Sequence, residues 1–399
     1  VVWLTLGFAM GLTRGFCIHI SQAYGKKDYH LVNRGFFVAS VLSLIVGAMI
    51  SIVGSLAIRD FLILMHTPGE ILEQSLDYIK VILLGFVITV LNNLFMSVLQ
   101  SLGDSSTPFW ALLVSSVTNI GLDCVFVLTL KWGVQGAAAA TVLSQVFSFA
   151  ICAAGLKRLK FVSILDGSKS KNARLTVRML KTGLPVGIMS MVTAVGGMIL
   201  QFFVNDLGAS AVAAYAASTK IRSVIGEFSN ALGMTFMTFV GQNYGAQKYD
   251  RIKAGVRMGV LLSILIHIPL SAVEIFGGKR IASLMVTDPP VLELCRQYLL
   301  IVGIFVFFLG FLMVFRNCIQ GMGNTWIPML SGGLEVFSRL IFGYWLGRHS
   351  FMGIAAAEAS AWISVSIMLG SSFFILFRKV LRTQTPENTT DTKNIRTDS

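Results

Sequence analysis

The sequence predicts an all-α polytopic membrane protein of two six-helix lobes related by a parallel internal repeat, with eleven of twelve transmembrane helices present. Three observations carry this. Of 399 residues, 55% are hydrophobic and only 13% charged, against about 25% charged in ordinary soluble domains. Apolar runs long enough to cross a bilayer, about 20 residues each, occur eleven times along the chain. The stretch ISQAYGKKDYHLVNRG at 20–35 also returns as VGQNYGAQKYDRIKAG at 240–255, keeping Gln-x-Tyr-Gly, a second tyrosine and a closing glycine.

The first lobe, residues 1–156, takes the runs near 1–22, 35–58, 78–101, 108–130 and 134–156. A basic cytoplasmic linker follows at 157–182. The second lobe, 183–378, takes the runs near 183–204, 209–240, 256–276, 297–320, 327–347 and 352–377, and a polar tail closes the chain at 379–399. Barrel strands would alternate apolar and polar residues over about ten positions. Stretches such as LLVSSVTNIGLDCVFVLTL and YLLIVGIFVFFLGFLMVF are apolar on most sides, so the spans are helices.

The net charge of +13 does not point to nucleic acid, because no water-facing domain gathers the bases. Their distribution follows topology instead. With the links after the first, third, fifth, seventh and ninth runs on one side together with the tail, that side holds 20 Lys and Arg and the other holds 6. The positive-inside rule makes the richer side cytoplasmic. Cys17, Cys124, Cys152, Cys295 and Cys318 fall in or beside apolar runs without metal-ligand spacing or a disulfide framework. They read as small core residues.

The repeat extends beyond its opening motif. VLQSLGDSSTPFW at 98–110 aligns with CIQGMGNTWIPML at 318–330, again offset by 220, pairing Gln100 with Gln320, Gly103 with Gly323 and Pro108 with Pro328. GAAAA from Gly136 resembles GIAAA from Gly353 at an offset of 217. Both copies of the first motif fall on the cytoplasmic side, so the halves relate by an axis along the membrane normal. The second half has a full helix before its counterpart of the first run. The chain therefore reads as a fragment whose first lobe lacks one helix and part of another.

ISQAYG, VGQNYGA, LGDSSTP, NIGLDCVF, WGVQGAAAATVLSQ, GLP and AAYAASTKI together resemble the multidrug and toxic compound extrusion (MATE) family over residues 1 to about 378. The resemblance implies two lobes facing a central cleft that alternates between outward-open and inward-open states. It implies efflux of organic, often cationic, compounds in exchange for H+ or Na+, with no cofactor, in a multi-pass bacterial cell membrane protein that is a monomer surrounded by lipid. Lys220 matches the family's Ala-rich KI stretch, and NIGLD is a recurrent family stretch.

Ionisable groups inside hydrocarbon are costly, so each needs a reason. Glu335 and Arg339 lie one turn apart on one helix face. They form either a structural ion pair or a site where substrate or coupling ion competes for the carboxylate. The offset of 220 sets Ser115 opposite Glu335 and Asn119 opposite Arg339, with Asp123 one turn beyond. Lys220 lies eleven residues into its run and Glu227 two turns further on roughly the same face. Gln201 offers either a neutral contact to substrate or an amide bridge between helices. These seven, Glu335, Arg339, Lys220, Glu227, Asp123, Asn119 and Gln201, are the expected substrate or coupling-ion pathway, with Glu335, Arg339 and Lys220 expected to share one polar space. Glu358 and Glu274 are placed near helix ends and outside it, Arg14 is expected to snorkel to the cytoplasmic end, and His19 and His267 read as bonded core residues.

Two other function classes receive no support. A membrane enzyme would need a clustered nucleophile and base or a metal set, and a channel a pore-lining ring. A lipid-linked saccharide flippase, a second transporter reading, would carry several cavity arginines and added helices.

Overall fold

A computed structural model describes residues 2–64, 68–163 and 172–382; the tail beyond 382 and the centre of the linker lie outside them. The described chain is helical throughout. Its helices are α1 Val2–Gly25, α2 Tyr29–Leu64, α3 Gly69–Leu84, α4 Phe86–Ser101, α5 Ser106–Asp123 and α6 Gly133–Arg158, then α7 Ala173–Asn205, α8 Ala209–Gly245, α9 Tyr249–Ala272, α10 Gly278–Ala282, α11 Pro289–Gly321, α12 Trp326–Phe342 and α13 Phe351–Arg382. Three π-helical turns, Cys124–Thr129, Val273–Gly277 and Gly343–Gly347, extend α5, α9 and α12. In lipid every backbone polar group must be satisfied within its own segment, which a helix achieves.

The helices form eleven rods in the expected order, with α3 and α4 bent by 49° as one broken rod. Among the described residues, seven helices are long and apolar enough to cross a membrane, eight with the bent pair counted as one span. The rods built on α1, α8 and α12 fall short because they carry Arg14 and His19, Lys220, Arg222 and Glu227, and Glu335 and Arg339 respectively. Several helices start earlier than their apolar runs. Thus α7 takes in Arg174, Arg178 and Lys181, whose charges end the hydrophobic run without ending the helix.

The two halves repeat in three dimensions. The pairings of α1 with α2 and α4, of α2 with α4, of α4 with α6 and of α5 with α6 recur as α8 with α9 and α11, α9 with α11, α11 with α13 and α12 with α13. Backbone details recur as well. Lys27 and Gln247 take positive φ of 61° and 57°, and Gly103 and Gly323 take 94° and 89°, a region open chiefly to glycine. The Asp104 side chain accepts the Thr107 amide at 3.0 Å, and Asn324 accepts the Ile327 amide at 3.2 Å, so both links start their next helix with the same capping turn. Tyr24 meets Tyr29 edge-on at 6.3 Å, as Tyr244 meets Tyr249 at 5.9 Å.

Each half has its own apolar core. One gathers Leu12, Phe16, Phe36, Leu94 and Val98, the other Tyr298, Val302, Trp362 and Leu369. Between them α1 lies along α7 and crosses α8. Gly7, Gly11 and Gly15 on α1 face Ser190, Gly187 and Gly183 on α7, the small-residue spacing that lets membrane helices approach closely.

Candidate functional site

The largest gathering of charge lies inside the second half. Glu335 and Arg339 project from the inner face of α12, 3% and 5% exposed. The two oxygens of Glu335 are divided between two arginines: Oε1 meets Arg339 Nη2 at 3.0 Å, and Oε2 meets Nη2 of Arg316, from α11, at 3.0 Å. Arg339 Nη2 continues to Glu358 Oε1 on α13 at 3.5 Å. Glu358 is in turn held by Arg222 from α8 and by the Tyr298 hydroxyl from α11. The Arg222 guanidinium sits 5.5 Å over the Trp362 ring, a cation–π contact. The result is a chain of alternating charge drawn from four helices. Arg316 lies near the C-terminal end of α11 and Glu358 near the N-terminal end of α13. Buried charges persist only when paired and bonded in this way.

Glu335 and Arg339 therefore share a polar space as expected, but Lys220 does not join them. It is exposed on α8, on the face turned away from Arg222. Glu227, seven residues on, is also exposed and accepts a bond from Asn230 Nδ2 at 3.4 Å. Asn230 Oδ1 accepts Arg14 Nη1 at 3.4 Å, so Arg14 reaches across to the other half rather than snorkelling. Gln201 donates to Asn205 on its own helix at 2.8 Å. His267, fully buried, lies 2.7 Å from both Ser229 Oγ and the Ser263 carbonyl, a bonded core residue.

The expectation missed Arg316, Arg222, Glu358 and Glu274. Arg316 left a signal, an arginine inside an apolar run. Glu358 and Glu274 read as helix-end residues from the sequence, whereas both are 1% exposed. The short links at these ends place them against neighbouring helices, where sequence distance from the helix end says nothing about burial.

In the first half, Asn119 and Asp123 lie on α5 against α6. Asn119 Nδ2, Asp123 Oδ1 and Gln145 Oε1 are buried atoms without a hydrogen-bond partner. Ser115, the counterpart of Glu335, donates to the Ser144 carbonyl of α6 at 3.0 Å. The polar face of α12 thus recurs on α5 with open valences in place of ion pairs.

A groove of about 590 Å³ lies between α5 and α8, lined among others by Arg14, Gln100, Phe109, Glu227, Asn230 and Gln242. Applying the repeat to the packing of α7 on α12 and α1 gives a position against α5 and α8. The groove is therefore the first half's counterpart of the space that α7 fills in the second.

The family model described as MatE matches residues 1–125 and 185–345. The chain is 27% identical over 375 residues to the probable multidrug resistance protein YoeA of Bacillus subtilis, covering 88% of this chain and 81% of that one. It is 23% identical over 386 residues to the probable multidrug resistance protein NorM of Thermotoga maritima, covering 94% and 82%. A solved MOP-superfamily transporter from Pyrococcus furiosus has the same fold, with a TM-score of 0.88 at 22% identity over 95% of this chain and 86% of that one. With a family match over most of its length and apolar helices of membrane-crossing size, the chain is a multi-pass membrane protein belonging to the MatE family.

Proposed function

We propose that the protein is a secondary active exporter whose halves rock against each other, expelling organic compounds in exchange for H+ or Na+. The observation that carries this reading is the reciprocal contact at the basic end: Gln22 Nε2 donates to the Gly321 carbonyl at 2.9 Å, and Gln242 Nε2 to the Ser101 carbonyl at 2.9 Å. Each half keeps its own core, and the halves meet through these neutral bonds and the close-packed contacts of α1 with α7 and α8, an arrangement that favours rigid-body movement, the usual basis of alternating access in repeat-built transporters. The related multidrug resistance proteins support organic compounds as the cargo class.

Coupling is assigned to the polar faces. In the first half the open Asp123 Oδ1 and Gln145 Oε1, with Asn119 one turn from Asp123 on α5, are the groups assigned to a bound H+ or Na+. In the second half, Glu335 and Arg339 hold the lobe rigid, and a cationic compound engages Glu227 in the groove between α5 and α8, with Lys220 and Gln201 assigned to the path leading to it. Such a transporter works as a monomer in lipid, without a cofactor. The test is purified protein in liposomes carrying imposed H+ or Na+ gradients and a panel of fluorescent organic cations. Gradient-driven dye movement is expected. Dye movement indifferent to both gradients would sink the exchange.

A further inference from the structure

Glu274 is the buried acid that the charge chain leaves unused. It sits in the π-helical turn after α9, 1% exposed, and neither carboxyl oxygen has a hydrogen-bond partner. Its Cβ is packed against Gly303 of α11. The charges that act on it are Arg222 from α8 and Glu358 from α13. From α11 comes Tyr298, whose hydroxyl is taken by Glu358. On α10, Lys279 and Arg280 are exposed, and Lys279 is turned to Glu293 at 3.7 Å. On α9 itself His267 is held by serine groups.

The missing hydrogen-bond donors, rather than the charge count, set the state of this residue. Arg222, Arg316 and Arg339 face Glu335 and Glu358, which leaves one positive charge in surplus. An ionised Glu274 would cancel it, yet it bonds to none of the three arginines. A carboxylate in apolar surroundings without a donor is strongly disfavoured, while the Nε of Arg222 also lacks a partner. Arg222 is the least covered arginine of the chain, its side chain 21% exposed against 5% for Arg316 and 7% for Arg339.

We propose that Glu274 is a proton-binding site of the second half, a neutral acid in this conformation that ionises when Arg222 turns from Glu358 towards it. The step balances simply. The Glu274 O–H gives its proton to water entering beside Arg222, the carboxylate pairs with the guanidinium, and Glu358 keeps Arg339 and Tyr298. The widened π turn supplies the slack, as such turns often do at functional positions. As a coupling site this rests on the exchange reading above; as a proton site it rests on the burial of Glu274 and the missing partners of its carboxyl oxygens.

The experiment is infrared difference spectroscopy on the full chain in lipid nanodiscs between acidic and alkaline buffer. The C=O band of a protonated carboxylic acid is expected in the native protein, lost in Glu274→Gln and unchanged in Glu293→Gln. Glu274→Asp, which keeps the acid but shortens it, should move the band, and so keeps the test sound if the glutamine variant does not fold. Arg222→Gln should hold the band to a pH at least one unit higher. A band intact in both Glu274 variants, or a loss unaffected by Arg222→Gln, overturns the proposal. If the band behaves as expected while no H+ gradient drives transport, the proton site holds and H+ coupling falls.

Discussion

Gln22 and Gln242, 220 residues apart, make the same bond in opposite directions. Each donates its amide across the boundary between halves, at 2.9 Å, to a carbonyl near the end of the other half's α4 or α11. Around this exchange α1 and α8 come so close that a Cβ on Gly25 would strike the Gln242 backbone, and one on Gly245 the Gln22 backbone. The repeated Gln-x-Tyr-Gly is thus the two-fold latch that closes the basic end.

Removing one latch bond should release this end without unfolding either core. A neutral hydrogen bond contributes about 0.5 to 1.5 kcal/mol, so Gln22→Ala and Gln242→Ala should each raise the population open at the basic end by about 2- to 10-fold. Thiol labelling of Ser21→Cys, introduced into a background free of other cysteines, reads that population from the basic side. Unequal effects of the two alanines would show that the latch is not two-fold in energy.

Gly245→Val should prevent closure altogether, since the side chain would occupy the position of the Gln22 backbone. The folded protein should remain, labelled at Ser21→Cys at its full rate, with transport abolished. Normal transport by this variant would show that the basic end need not close.

Glu335→Gln should be strongly destabilising. It leaves Arg316 and Arg339 facing a neutral amide in a site less than a tenth exposed, and breaking a buried pair costs about 3 to 5 kcal/mol. The melting temperature in detergent should fall markedly and recover in part in Arg316→Gln/Glu335→Gln. A melting temperature that does not move would show that the carboxylate is not the lobe's lock.

Lys220→Ala should leave stability within about 0.5 kcal/mol, as exposed positions without special contacts do. Any loss of transport would then be functional, and its dependence on substrate charge would show whether the ammonium repels cations from the cleft. A large drop in melting temperature would instead place Lys220 in a structural contact.

Asp123→Asn keeps the shape of the α5 face but removes its negative charge. Cation-driven exchange should slow at least tenfold while downhill dye leakage continues. An unchanged response to both H+ and Na+ gradients would free Asp123 of the coupling role.

Much of the architecture was legible in the residues because hydrocarbon is an unforgiving solvent: eleven apolar runs became eleven helical rods, and a 220-residue offset became a repeat of packing, capping turns and positive-φ positions. Glu335 and Arg339 were readable as a pair because helical geometry places residues four apart on one face. Their other partners were not. Arg316, Glu358 and Arg222 come from three other helices, and nothing in the spacing of 222, 316 and 358 tells which faces turn inward.

The sequence by itself determined the class, the family and the repeat, since composition, periodicity and ordered motifs are properties of the chain taken one stretch at a time. Only the tertiary structure decided that Gln22 and Gln242 exchange bonds, that Lys220 stands outside the charge chain, and that Glu274 is buried without a hydrogen-bond partner. Those facts depend on which helix faces meet. The meeting is settled by packing summed over whole surfaces, such as the glycine seam of α1 on α7, and one residue's identity or distance from a helix end carries no record of it.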